Sequence, residues 1–222
     1  MLDSISRAWL VKPMVTDFVR NVVGEIRCRV YDWKHGVHTC GNVNLTGLTL
    51  VGNNRSYGVH YHPSHPKFLL QEFSKLNIDY NQFTFIDFGA GKGRVLLAAS
   101  EFPFHRIIGV EFASELTAIA CENIKRYRSA TQKCTNVECL NIDAAEFEFP
   151  SGPLVLYLFN PFGPNVLRPL MQNLQRSLDA DLRDVLLIYM SPFHGDLIEQ
   201  ETALRCIAHD TYHNLYSYSI PE

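Results

Sequence analysis

The sequence has six cysteines (Cys28, Cys40, Cys121, Cys134, Cys139 and Cys206) but no C-x-x-C pair. Their scatter predicts reduced, mostly structural thiols in a cytosolic protein. No apolar stretch approaches the roughly 20 residues needed to span a bilayer. The first residues, Met1 to Arg7, lack the charged-then-apolar layout of a secretory signal, so the expected location is cytoplasmic. There is no internal repeat and no low-complexity tract. A dense basic footprint is also missing, which leaves nucleic acid unfavoured as a partner. The net charge of −3 is uneven. Residues 1–75 hold nine Lys/Arg against five Asp/Glu, a balance of +4, whereas residues 76–222 hold eleven against eighteen, a balance of −7. The basic N-terminal part either meets an acidic partner or is an ordinary solvated surface. With 222 residues, 46% of them hydrophobic, the chain suits one α/β domain with an extension and can bury a proper core.

What is present is organised around residues 83–94. An apolar, β-rich run, Phe83 to Ile86, ends in Asp87 and breaks into alternating glycines at Gly89, Gly91 and Gly93. The apolar helical stretch Val95 to Ala99 follows at once. This predicts strand, tight loop and helix. Glycines let a ligand approach the backbone, and the N–H groups opening the helix point at it. Such a cradle lies at the carboxyl end of a strand, where open α/β sheets bind ligands.

Three ligands compete for the cradle. A phosphate P-loop needs G-x-x-x-x-G-K-[ST], and Gly91-Lys92-Gly93-Arg94 does not supply it. A dinucleotide fingerprint needs G-x-G-x-x-G, and its third glycine is replaced by Arg94, which hinders close helix–strand packing. The loop for S-adenosylmethionine is an acid followed by G-x-G-x-G, and Asp87 with Gly89, Gly91 and Gly93 fits it. Three further strand-like runs also end in polar groups. Arg106 to Phe112 carries Glu111, suited to both ribose hydroxyls. Val137 to Ile142 runs into Asp143-Ala144, suited to the exocyclic amine of adenine. Leu154 to Phe159 runs into Asn160-Pro161-Phe162-Gly163.

On these four pieces the stretch from about Tyr57 to Pro192 resembles the class I S-adenosylmethionine-dependent methyltransferases. More narrowly, Tyr61-His62-Pro63-Ser64 is similar to a Tyr-x-Pro-Ser/Thr element of certain lysine methyltransferase-like proteins. The resemblance implies a Rossmann-like α/β fold: a mostly parallel seven-stranded sheet with helices on both faces, an antiparallel C-terminal strand and an N-terminal helical extension. It implies S-adenosyl-L-methionine as cofactor and S-adenosyl-L-homocysteine as product. Asp87, Gly89 and Gly91 would line the methionine end, Glu111 the ribose, and Asp143 and Ala144 the adenine, with Ala90, Gly93 and Phe112 also among the cofactor-binding residues. Asn160 would sit beside the reactive methyl group, and Tyr61 would cover the cofactor from the N-terminal side. The expected division is 1–60 as N-terminal helix and substrate or lid extension, and 61–222 as the cofactor-binding domain.

Within 1–60, Met14, Val15, Phe18, Val19, Val22, Val23, Ile26 and Val30 recur at helical spacing over residues 13–30. This amphipathic helix is expected to dock on the catalytic domain or on a second copy, giving a homodimer. A membrane-surface role competes, against a polar face that mixes both signs of charge. Residues 31–58 read as a glycine-punctuated lid or substrate wall. His35, His38 and Cys40 match no standard zinc spacing, and no metal is expected. Ser64 and Pro66 open the next helix as cap and first-turn residue. Among His60, His62 and His65, one could take a proton from the methylated group, although ordinary loop histidines explain them as well. Downstream, strands and helices alternate as helix 92–101, helix 114–128 capped by Ser114, helix 168–178, strand 184–191 and helix 195–203. Two strands follow within 204–220.

Methyl transfer chiefly requires donor and acceptor to be held in line. Asn160 offers a side-chain carbonyl and Phe162 a ring face for an amine, which makes Asn160, Phe162 and Tyr61 the candidate catalytic residues. Asn160-Pro161-Phe162 resembles the Asn-Pro-Pro-aromatic motif of amino-group methyltransferases with one proline missing; a plain strand-ending turn is the competing reading. Tyr157, Tyr189 and Phe193 line the same mouth or belong to the core. The expected activity is therefore methyl transfer to a nitrogen of an unidentified protein or small-molecule acceptor. A non-catalytic cofactor-binding scaffold and an NAD-dependent oxidoreductase remain as alternatives.

Overall fold

The strands at the centre of the sheet are short, largely apolar runs that end where a polar or glycine residue appears. The computed structural model describes residues 22–54 and 66–219. Helix α1 occupies 22–35. It is followed by α2 (Pro66–Ser74), β1 (Thr84–Phe88), α3 (Arg94–Ala99), β2 (Arg106–Glu111), α4 (Ser114–Arg126), β3 (Val137–Asn141) and β4 (Leu154–Phe159). The chain closes with α5 (Pro164–Ala180), β5 (Val185–Met190), α6 (Asp196–Glu201), β6 (Arg205–His209) and β7 (His213–Tyr218). The seven strands form one sheet in the order β3-β2-β1-β4-β5-β7-β6. The first five are parallel, and β7 runs antiparallel between β5 and β6.

Side chains alternate across the sheet, which builds one core on each face. Ile86, Phe88, Leu154, Leu156 and Leu158 pack beneath α5 and α6. Phe85, Ile107, Val155 and Tyr157 pack beneath α2, α3 and α4. Consecutive strands lie side by side except at two steps: the chain leaves β3, crosses back over the sheet and enters β4, and it passes from β5 to the edge strand β6 before β7 fills the gap between them. The order therefore reverses between β1 and β4, and a crevice opens above their carboxyl ends. Helix α5 starts earlier than sequence periodicity predicts because Gly163 and Pro164 open it at its N-terminus. In α4 the N-cap is Ala113 rather than Ser114; the Ser114 hydroxyl instead bonds the Asn141 side chain at 2.8 Å.

The N-terminal segment is held differently from expectation. Val22, Val23, Ile26 and Val30 are exposed, so they do not dock α1 on the domain. The docked face carries Cys28, Asp32 and His35. The reason is Arg94, which is buried in the first turn of α3 and needs a counter-charge. Its guanidinium lies 3.2 Å from Asp32 Oδ1 and donates to the Thr39 hydroxyl at 2.7 Å. Asp32 also accepts the backbone N–H groups of Thr39 and Cys40, at 2.7 and 2.8 Å. Arg94 thus clamps the extension in place. The close approach of α3 to the sheet is supplied from the other side, by Gly109 of β2, where a Cβ would stand 2.7 Å from Leu96 Cδ1 and 2.9 Å from Ala90 Cβ.

The expectation of uniformly reduced thiols is also corrected. Cys28 and Cys40 form a disulfide between α1 and the following loop, with Cα atoms 5.7 Å apart. Cys121, Cys134, Cys139 and Cys206 are free. His35 is packed 5.1 Å from the Tyr127 ring, and its Nδ1 bonds the Arg128 carbonyl at 2.9 Å. With Cys40 in a disulfide, His35, His38 and Cys40 do not make a ligand set.

Candidate functional site

The glycine loop after β1 and the turn after β4 close on each other at the switch point. Gly89, Gly91 and Gly93 all have positive φ. At Gly89 a Cβ would lie 2.5 Å from Pro161 Cβ, so only glycine lets the two turns approach this closely. Above them is a cavity of about 400 Å³, within the range of small-ligand sites. Of the residues expected to bind a cofactor, Asp87, Gly89, Ala90, Glu111, Phe112, Asp143, Ala144 and Asn160 all line it. Gly91 and Gly93 shape the loop from behind, and Tyr61 lies outside the described residues, as do His60, His62, His65 and Ser64.

The floor of the cavity is acidic. Glu111 is buried and accepts Gly91 N–H at 2.8 Å and Ala113 N–H at 2.9 Å, so it braces the loop as well as facing the cavity. Burial pushes its carboxyl above the usual range, opposed by those backbone bonds. Asp87 is buried, and among the described residues its Oδ2 has no hydrogen-bond partner. Burial, and then the neighbouring Glu111 charge, hold the Asp87 carboxyl well above its ordinary range.

One side wall comes from β3 and the extension. Asp143 accepts Ala145 N–H at 3.0 Å through Oδ1 and the Asn54 amide at 2.9 Å through Oδ2. A Cβ on Gly52 would lie 2.4 Å from Asp143 Oδ2, so the loop is seated directly against this carboxylate. Leu45 and Asn54 line the cavity from this side.

The opposite wall is formed by the ends of β4 and β5. Asn160 and Ser191 follow these strands with φ of 41° and 47°, the only non-glycine positive values among the described residues. Such conformations cost energy and gather at functional sites. The Tyr189 hydroxyl lies 3.4 Å from Asn160 Oδ1. Burial pushes the Tyr189 pKa up to about 12, so at neutral pH the phenol keeps its proton and donates to the amide oxygen. Phe162 lines the cavity but is itself buried in the core. Tyr157 is buried and lines the cavity; Phe193 stands exposed at its mouth. Sequence reading missed Phe159 and Ser191, which also line it. Phe159 was hidden as the last residue of an apolar strand. Ser191 had the same signal as Asn160, a polar residue before proline at a strand end.

Residues 81–155 match the profile of a family described as putative methyltransferases. The matched stretch contains the glycine loop, Glu111 and Asp143, and the strand order around it is the seven-stranded one just described. Over this stretch the chain is similar to that methyltransferase family, and its sheet has the strand order that the resemblance implies. Among solved structures, the chain is similar to a predicted N6-adenine-specific DNA methylase from Listeria monocytogenes. The identity is 14% and the TM-score 0.51, over 72% of this chain and 52% of that one. It is also similar to a possible methylase from Clostridium difficile (15% identity, TM-score 0.49, 72% and 54% coverage). A third neighbour is an RNA methyltransferase from Salinibacter ruber in complex with S-adenosyl-L-homocysteine (20% identity, TM-score 0.45, 72% and 95% coverage). The chain spans about half the length of the Listeria protein, and at this identity the likeness concerns the fold. No curated protein matches the sequence.

Proposed function

We propose that the chain transfers a methyl group from S-adenosyl-L-methionine to a nitrogen of a protein or small-molecule acceptor. The observation that carries the reading is Asp87 Oδ2, a buried oxygen without a partner among the described residues, on the floor of a glycine-lined cavity. A buried carboxylate in that state calls for a cationic donor, and the α-ammonium group of the cofactor is one. Glu111 and Asp143 fit the polar ribose and adenine edges, each carboxylate being already fixed by backbone or Asn54 bonds.

When bound, the cofactor supplies an electrophilic methyl group on a positively charged sulfur. The protein's part is positioning. Asn160 presents its side-chain oxygen to an N–H of the acceptor and so directs the nitrogen lone pair. Tyr189 holds that oxygen by donating its proton. Leu45 and Asn54 close the side of the cavity and exclude water there. We assign residues 1–60 the role of lid and substrate wall, and 61–222 that of the cofactor-binding domain; Tyr61 belongs to the same proposal as a cover over the cofactor.

The test is a methylation screen of amines, peptides and oligonucleotides, with the modified atom located by mass spectrometry. Methyl groups should appear on nitrogen. Asn160→Ala should lower turnover by about 10²-fold while cofactor affinity stays within about twofold, as expected for a group that orients the acceptor. Product carrying the methyl on oxygen or carbon, or an Asn160→Ala protein with full turnover, would remove Asn160 from this role.

A further inference from the structure

Two phenyl rings stand in the open on one rim of the cavity. Phe159 is 44% exposed and Phe193 is 77% exposed, and both line the cavity beside Asn160. Each sits at a left-handed turn, Phe159 directly before Asn160 and Phe193 two residues after Ser191. Two strained strand ends therefore hold two aromatic rings toward water, where each forfeits the burial a phenyl group ordinarily gains. Apolar surface gathered at the mouth of a site marks where a ligand is gripped.

The charge around the rings says which ligand. Phe193 also lines a second, more open groove of about 410 Å³, continuing past Pro192 to Asp196, Glu199 and His209. The Glu199 carboxylate is fixed there by the Cys206 N–H at 3.0 Å. Among the described residues lining the cavity and the groove, the only Lys or Arg is Arg94, and it is committed to Asp32. Among the described residues a phosphate-bearing acceptor would find no uncommitted Lys or Arg on this path, and residues 76–222 carry a balance of −7. An ammonium group suits both halves, with ring faces in the cavity mouth and carboxylates in the groove.

We propose that the acceptor is an aliphatic amine on a chain bearing further positive charge. The reacting amine lies between Phe159 and Phe193 against Asn160, and the next cation reaches Asp196 and Glu199. This rests on the methyl-transfer reading. The ammonium first gives a proton to water in the groove. The freed lone pair forms the N–C bond as the C–S bond breaks, its electron pair stays on sulfur, and the positive charge passes from sulfur to the methylated nitrogen.

A lysine residue of a basic peptide and a free polyamine share this chemistry, and calorimetry on the full chain distinguishes them. The protein is saturated with S-adenosyl-L-homocysteine and titrated with spermidine, with a lysine-rich peptide, and with an adenine-containing oligonucleotide. At least one of the first two should bind, identifying the source, and the oligonucleotide should not. Phe193→Ala and Asp196→Asn should each weaken that binding about tenfold. Melting temperature and S-adenosyl-L-homocysteine affinity should stay unchanged, which separates lost contacts from misfolding. Binding of S-adenosyl-L-homocysteine without either amine, preference for the oligonucleotide, or undiminished amine binding in both variants would overturn the proposal while leaving the cofactor assignment standing. Failure of S-adenosyl-L-homocysteine itself to bind would instead defeat the reading beneath it.

Discussion

Asp87 is placed where its charge has no company. Its carboxyl is buried near the end of β1, one oxygen unpartnered among the described residues, with Glu111 as its electrostatic neighbour. Folding therefore favours the protonated acid, and the folded-state pKa is raised. The stabilisation this represents is present at low pH and is lost as pH rises from the ordinary carboxylate range through the raised value. Without cofactor, thermal stability should fall across that window, and Asp87→Asn should flatten the fall. Cofactor binding works in the opposite sense. An ammonium beside Asp87 favours the ionised form, so binding should release up to about one proton. Calorimetry in two buffers of different ionisation enthalpy reads that proton directly. In Asp87→Asn the release should vanish and affinity should drop roughly 10- to 100-fold, the worth of a hydrogen bond to a charged group. A wild-type titration with no proton release inside the window would count against the ammonium assignment. Asp87, Glu111 and Asp143 were legible in the sequence because each follows an apolar strand, where a carboxylate has little structural excuse. Their bonding was not legible, since Asp143 also clasps Asn54 across 89 residues of chain.

Helix α1 and the loop after it form a latch on the glycine loop. Arg94 and Lys92 reach from the cradle to Asp32, Thr39 and the Cys40 carbonyl, and the Cys28–Cys40 disulfide ties the two sides of the latch together. Replacing Arg94 by Met leaves Asp32 buried without its cation and should cost about 3–5 kcal/mol in chemical denaturation. Reducing the disulfide should cost about 2–4 kcal/mol, and in both cases residues 36–54 should be cut faster by protease. Unchanged stability in Arg94→Met would mean the extension is held by other contacts. This element was the least legible in advance. Counting apolar residues selects Val22, Val23, Ile26 and Val30, which the fold leaves exposed. The docking face is polar and sulfur-bearing because its partner is a buried cation. Arg94 reads as a missing glycine until Gly109, fifteen positions on, is seen to make the close helix–sheet contact in its stead.

Across the whole molecule, the strand order decides where chemistry can occur. Alternating strands and helices make the parallel sheet legible, since each strand is a short apolar run bounded by turn residues. The reversal between β1 and β4 then brings Asp87 and Asn160, 73 positions apart in sequence, to the same cavity. The parallel pairing of β4 with β5, which sets Phe159 opposite Met190, forms the second wall by presenting Ser191 and Phe193 next to Asn160. That proximity has no local signature, because it depends on the register of two strands separated by the whole of α5. The account stands or falls on what the cavity holds. The most direct measurement is calorimetric titration of the whole chain with S-adenosyl-L-methionine and S-adenosyl-L-homocysteine, with NAD as the comparison. Saturable binding of the first two at one site per chain, with none for NAD, is the predicted result. A folded sample that binds neither, or that prefers NAD, would contradict it.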